Sequence, residues 1–170
     1  MTKLHRFLLT VLLAFLTGGF ITAHAQQEKA LRASNLLPNY IEGFEADSPL
    51  IVSNRYRDQD FVSVERIFYK TDGSEQIRII FKDYSINPDD YEKQLKSLKQ
   101  LNASKESDDI TRFKGYILNT VVNDEAIEKV LYLEQNISVE IKHGGAISDS
   151  SLSNQLMRKI DIPYLKSTLR

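Results

Sequence analysis

The sequence predicts a single α+β domain built on an antiparallel sheet of five to seven strands, with two main helices packed on it. Three observations support this fold class. β-rich runs follow one another in groups, tight turns separate the runs within a group, and a single amphipathic helical stretch follows each group. Strands that are grouped in this way, instead of alternating singly with helices, are typical of antiparallel α+β sheets.

The clearest predicted element is a β-hairpin within residues 60–85. The runs Phe61–Lys70 and Glu75–Lys82 are rich in β-branched and aromatic residues, and the turn between them contains Asp72-Gly73. An Asp-Gly pair between two such runs is a strong hairpin signal, because glycine adopts a positive φ without a Cβ clash. We therefore expect the other elements to cover or extend this hairpin.

The segment ahead of the hairpin is less regular. Residues 26–35 form a polar lead-in, which is expected to be a frayed helix or disordered. Leu36–Phe44 carries apolar side chains around Pro38, and this predicts a loop pinned onto the core. Leu50–Ser53 follows Pro49 and is expected to be a short strand at the start or edge of the sheet.

An amphipathic helix is predicted directly after the hairpin. Asn87 suits the N-cap position and Pro88 suits the first turn. Apolar side chains then recur at helical spacing, at Tyr91, Leu95, Leu98 and Leu101. The pattern predicts a helix that ends near Asn102 and lies across one face of the sheet.

A second β-rich block predicts a three-stranded meander. Its runs are Gly115–Val122, Ile127–Glu134 and Ile137–Lys142. The third run alternates apolar and polar residues, which predicts one buried face and one wet face, and His143-Gly144-Gly145 is expected to end it. The chain closes with a predicted helix over about 148–160 and a short final turn around 164–169.

The first 25 residues have the three parts of a secretory signal. Lys3 and Arg6 provide a positive start, an apolar run covers 7–21, and Ala23 and Ala25 are the small residues that a signal peptidase reads. Cleavage after Ala25 is therefore expected. The alternative is an uncleaved membrane anchor, although the apolar run is shorter than the roughly 20 residues that span a bilayer.

The remaining composition limits the kind of partner. Residues 26–35 lead into a single domain over 36–170, which is a one-domain length. Loss of Lys3 and Arg6 leaves a slightly acidic chain, so neither nucleic acid nor an anionic membrane is suggested as a partner. The chain contains no cysteine, which excludes disulfides and a thiol nucleophile. A periplasmic or secreted location in a bacterial setting fits such an exported chain.

Few residues carry catalytic or metal-binding signals. His143 could act as a general base or metal ligand, but an ordinary turn residue is the expected interpretation, and one histidine without cysteine cannot build the usual zinc site. Carboxylate pairs occur at Asp89-Asp90, Asp108-Asp109 and Asp124-Glu125. Such pairs could serve a hydrolase, and Asp108-Asp109 could bind calcium, yet none has the spacing of a calcium loop. No nucleophile elbow or phosphate-binding loop is present, so no cofactor, metal or catalytic residue is predicted.

One group of side chains is a candidate ligand site. It consists of Arg55, Tyr56, Arg57 and Arg66, which could form a basic and aromatic patch for an anionic ligand. The alternative is a solvated face whose arginines pair with nearby acids. The eight tyrosines lie mostly on or beside predicted strands, where packing at the sheet margin is the expected role.

Two patterns resemble small exported bacterial proteins of unknown function. The first is Leu36-Leu37-Pro38 followed by Ile41-x-Gly43-Phe44. The second is a hairpin over Val130–Ile141, then Gly144-Gly145, then Leu152–Leu165 with Ile160-Asp161-Ile162. The resemblance covers most of the chain after residue 25, and its positions are apolar residues and glycines that specify a fold. It implies an envelope-associated domain and transfers no catalytic residue.

The sequence thus leads us to expect an exported, periplasmic, non-catalytic binding or interaction module. Its partner would be a protein or a small anionic ligand of the cell envelope. Two alternatives remain open: a hydrolase that uses loop carboxylates or His143, and an envelope protein anchored in the membrane by an uncleaved N-terminal segment.

Overall fold

The computed structural model describes residues 28–56, 59–85, 87–104, 109–134, 136–145 and 150–169. In this part of the chain the strands are β1 (Glu45–Ala46), β2 (Leu50–Tyr56), β3 (Gln59–Tyr69), β4 (Glu75–Asp83), β5 (Ile110–Phe113), β6 (Tyr116–Val122), β7 (Ala126–Leu133) and β8 (Ile137–Gly145). The helices are α1 (28–34), α2 (Pro88–Ser104), α3 (Ser151–Lys159) and α4 (Ile162–Thr168). The predicted α+β class is confirmed.

The strands form one antiparallel sheet in the order β1-β3-β4-β8-β7-β6-β5, and β2 also pairs with β3. The predicted hairpin is confirmed as β3 and β4, and the predicted meander is confirmed as β6, β7 and β8. Strand β4 pairs with β8 along its whole length, from Glu75 opposite Gly145 to Asp83 opposite Ile137. This pairing joins the two halves of the sequence at the centre of the sheet.

The eight strands of the described chain exceed the predicted five to seven. The two predicted main helices are α2 and α3, and the shorter α1 and α4 fall where a frayed helix and a final turn were expected. Strand β1 has only two residues, and β5 has four, of which Thr111 and Arg112 are exposed. The turn after β5 places Lys114 at φ 49° and Gly115 at φ 87°, which is the left-handed geometry of a tight hairpin. Neither strand has the length or alternation on which strand prediction depends.

Strand β8 is longer than predicted. His143, Gly144 and Gly145 were expected to end it, but they continue the pairing with β4. Gly145 has φ 109°, and a Cβ at this position would lie 2.1 Å from the carbonyl oxygen of Ser74. A glycine at the strand end therefore permits the close approach of the two backbones instead of marking a turn.

One face of the sheet, which we call the packed face, carries the main core. It is covered by α1, α3, α4 and the segment Leu36–Phe44, whose side chains at Leu37, Ile41 and Phe44 are buried as predicted. The sheet contributes the aliphatic and aromatic residues Val64, Phe68, Ile77, Ile79, Phe81, Leu131, Leu133, Ile137, Val139 and Ile141. Ala30 and Ala33 of α1 are buried, so the lead-in continues into a packed helix.

The opposite face, which we call the α2 face, is partly covered by α2. The alternation in β8 predicted that this face is wet, and for Ser138 and Glu140 that prediction is wrong, because both are buried. Glu140 is flanked in register by Ile80 of β4 and Val130 of β7, which are also buried. The α2 face therefore has buried polar side chains of its own, and the candidate site lies on this face.

Candidate functional site

The predicted basic patch is only partly within the described structure. The side chains of Arg55, Tyr56 and Arg57 lie outside it, so their role stays a prediction. Arg66 lies in the middle of β3, and its Nη1 donates to the Pro38 carbonyl oxygen at 2.7 Å and to Asn39 Oδ1 at 2.6 Å. These two contacts show that Arg66 holds the segment before β1 against the sheet.

His143 is a buried strand residue, so the prediction of an ordinary turn residue is wrong. It lies on the packed face with 3% of its surface exposed, and Nε2 donates to Glu75 Oε2 at 2.8 Å. The other carboxylate oxygen of Glu75 accepts from Lys70. Hydrogen bonds from the Lys70 ammonium, and then from His143, lower the pKa of Glu75. Burial of this carboxylate acts in the opposite direction and raises its pKa. No serine hydroxyl of the described residues bonds to His143, which is the contact that a serine hydrolase would need.

The predicted carboxylate pairs occupy separate places. Asp89 lies in the first turn of α2, where a negative charge complements the helix dipole. Asp124 and Glu125 are exposed in the turn before β7, while Asp108 lies outside the described residues. No cluster of three or more His, Asp or Glu side chains in the described ranges could hold a metal ion.

A tyrosine cluster joins α2 to the α2 face. The ring of Tyr84 lies 5.4 Å from that of Phe61 and 5.1 Å from that of Tyr91, and Tyr91 lies 5.9 Å from Tyr132. Tilted rings at these separations gain energy beyond the burial of their area. Tyr91 of α2 is buried, and its hydroxyl donates to the Ile137 carbonyl oxygen at 2.6 Å and also contacts that of Leu133.

A buried ion pair lies beside the tyrosine cluster. Lys82 Nζ of β4 is 2.5 Å from Glu140 Oε1 of β8, and the carboxylate side chain is only 6% exposed. The second oxygen, Oε2, is buried without a hydrogen-bond partner among the described residues. Lys82 Nζ also lies 5.1 Å from the centre of the Phe61 ring. The ammonium thus compensates Glu140 on one side and contacts the aromatic cluster on the other.

The environment suppresses ionisation of the cluster tyrosines. Burial, followed by the charge of Glu140, raises the pKa of Tyr84 to about 12 against an opposing contact from Ser138. Burial, followed by Tyr84 and Glu140, raises the pKa of Tyr132 to about 12. Burial also raises the pKa of Tyr91. These phenols are therefore neutral at physiological pH and act as packing groups and hydrogen-bond donors.

The tyrosine cluster predicts a loss of stability in alkali. Because the folded pKa values exceed the unfolded value of about 10, the cluster contributes fully below pH 10 and its contribution is lost as pH rises from 10 to about 12. We expect ultraviolet titration of the native protein to show a late tyrosinate step that Tyr84→Phe diminishes. Titration of Tyr84 and Tyr132 at pH 10 without unfolding would contradict this assignment.

A groove of about 590 Å³ runs along α2. Its opposite wall is the turn between β7 and β8, and it is lined by Asp89, Tyr91, Glu92, Lys93, Leu95, Lys96, Lys99, Glu134 and Asn136. The distance from Asp89 to Lys99 along the helix is about 15 Å. Tyr91 and Leu95 connect the groove to the tyrosine cluster, since both belong to that cluster as well as to the groove wall.

The sequence did not indicate this groove. It predicted α2 and the apolar stripe with Tyr91 and Leu95, but periodicity does not show which loop a helix will face. The sequence also did not indicate the ion pair between Lys82 and Glu140, since the two residues are distant in sequence and each looks like an ordinary solvent-exposed strand residue. Only the pairing of β4 with β8 brings them together.

The chain was also compared with known proteins. No family model, no curated protein and no solved structure matches it. In the part of the chain that the structure describes, no helix is long and apolar enough to cross a membrane.

Proposed function

We propose that this protein is an exported, non-catalytic interaction module that binds a segment of another cell-envelope protein in the groove along α2. Export rests on the N-terminal sequence, with its positive start, apolar run and Ala23 and Ala25. The observation that carries the binding proposal is the groove itself, a depression along α2 in which Leu95 is surrounded by charged and polar side chains.

The shape of the groove favours a peptide segment over a small molecule. Small-molecule sites usually enclose most of the ligand surface, whereas this groove is open to solvent along its length. A length of about 15 Å accommodates four or five residues of extended chain. A partner segment of this size could place one apolar side chain on Leu95, with polar residues on either side.

The wall of the groove is held firmly enough to act as a binding surface. The Tyr91 hydroxyl ties the first turns of α2 to the ends of β7 and β8, and these strands flank the turn that forms the opposite wall. The ring cluster beneath supports the same helix turn. Both walls are therefore fixed to one anchor, which limits the entropy lost on binding.

A matched pair of variants on α2 tests the proposal. Lys96 lines the groove, while the neighbouring Ser97 is exposed and does not line it. We expect Lys96→Trp to fill the groove and lose the native partner, and Ser97→Trp to retain it. Retention by both variants, or loss in both, would overturn the assignment of the groove.

A further inference from the structure

We infer that a cleft between α1 and α4 binds an uncharged sugar ring, at a site separate from the groove along α2. The cleft has a volume of about 470 Å³, which is within the range of small-molecule sites. One wall is formed by α1 and the turn that follows it, and the other wall is formed by α4. The side chains that line the cleft are Arg32, Asn35, Leu36, Tyr164, Ser167 and Thr168.

Both walls of the cleft are held in place by the core. Each wall consists of three residues at positions i, i+3 and i+4, which lie on one side of a helical turn. The other side of each helix is buried, since Ala30 and Ala33 of α1 and Ile162 and Leu165 of α4 are at most 4% exposed. The two alanines and Leu169 line the same small internal cavity, so α1 lies next to the end of α4. The cleft therefore exists before a ligand arrives, which lowers the entropic cost of binding.

Tyr164 provides an aromatic surface on the wall of the cleft. This residue is 58% exposed, whereas Tyr91 in the tyrosine cluster is 2% exposed. The face of an aromatic ring carries negative charge density, and the C–H groups along one side of a sugar ring carry partial positive charge. A sugar ring can therefore stack on Tyr164.

The polar groups of the cleft suit hydroxyl groups, which both donate and accept hydrogen bonds. The Arg32 guanidinium and the Asn35 amide supply donors, and neither side chain bonds to another described residue. The hydroxyls of Ser167 and Thr168 donate to the Tyr164 carbonyl oxygen at 2.8 and 2.9 Å. Their oxygen atoms therefore keep lone pairs that can accept from a ligand.

The charge of the cleft favours a neutral ligand over an anion. Of the described residues that line the cleft, only Arg32 is charged, and it lies in the last turn of α1. The C-terminal ends of α1 and α4 both lie at the cleft, and the carbonyl groups at a helix C-terminus carry partial negative charge. Arg32 offsets this partial charge, so little attraction remains for an anion. A sugar ring needs no net charge and can use the donors and acceptors together.

A glycan array of neutral and acidic oligosaccharides, probed with the intact protein, tests this inference. We expect binding to at least one neutral oligosaccharide, with an affinity that changes little with added salt. When this oligosaccharide is titrated into isotopically labelled protein, the backbone amide signals of 32–36 and 164–168 should shift. Binding to acidic oligosaccharides alone, binding to none, or shifts confined to other residues would overturn the inference.

Two exposed tyrosines provide matched variants for the same titration. Tyr164→Ala removes the aromatic surface and is expected to weaken binding about tenfold or more, whereas Tyr164→Phe keeps the ring and should retain most of the affinity. Tyr40 is 72% exposed and does not line the cleft, so Tyr40→Ala should bind as the wild type does. Unchanged binding by Tyr164→Ala, or equal weakening by Tyr40→Ala, would contradict the assignment of the site to this cleft.

Discussion

Replacement of Lys82 with methionine is expected to destabilise the protein by about 3 kcal/mol, because it leaves the Glu140 carboxylate buried without its cation. Methionine retains much of the apolar volume of the lysine side chain, so the loss reports mainly on the charge. The free energy of unfolding can be measured by urea denaturation at neutral pH. The same change at Lys142 is the control, since its pair with Glu128 is exposed, and it should cost no more than about 1 kcal/mol.

A second variant distinguishes the ion pair from general packing at Lys82. If the cost arises from an unpaired buried charge, Lys82→Met combined with Glu140→Leu should recover most of the lost stability, because apolar residues can replace a buried pair at little cost. Equal destabilisation by Lys82→Met and Lys142→Met would contradict the buried-pair account. So would a double variant as unstable as Lys82→Met alone.

Replacement of Tyr91 with alanine is expected to cost about 3–5 kcal/mol. The ring is 2% exposed, contacts Tyr84 and Tyr132, and carries the hydroxyl that bonds the ends of β7 and β8. Tyr91→Phe keeps the ring and should cost only about 1–2 kcal/mol. Calorimetric or urea unfolding of the two variants provides the comparison.

The position of Tyr91 within α2 makes a further comparison possible. Leu98 belongs to the same apolar stripe but is only partly buried, so Leu98→Ala should cost clearly less than Tyr91→Ala. A larger loss at Leu98 would mean that the C-terminal half of α2, and not Tyr91, attaches the helix. The rigid groove wall on which the proposed function depends would then have a different origin.

The sequence predicted the strands and helices more successfully than it predicted which parts of the chain cover their side chains. The Asp72-Gly73 turn predicted the β3–β4 hairpin, and the stripe that includes Tyr91 predicted α2, because both signals are local. The wet face expected for β8 was wrong because burial of Glu140 depends on the neighbouring strands β4 and β7. Alternation within one strand reports the polarity of its residues and cannot report what later covers them.

The candidate site was harder still to predict, because local sequence patterns do not show which distant segments meet in the fold. The groove is formed by a helix and by a turn near Glu134 that follows three strands later, so no short motif contains both walls. The sequence instead directed attention to Arg66 and His143, whose chemistry is conspicuous. In the fold, Arg66 holds the Pro38 segment and His143 is bonded to Glu75, so the contacts of both are internal to the domain.

Native mass spectrometry of the protein recovered from the envelope of its host tests both export and binding in the groove along α2. We expect a chain that begins at Gln26 and carries a bound protein partner in the wild type and in Ser97→Trp, but not in Lys96→Trp. A chain that retains residues 1–25 would contradict cleavage of the export signal. A partner that remains bound to Lys96→Trp would contradict the assignment of the binding surface to the groove along α2.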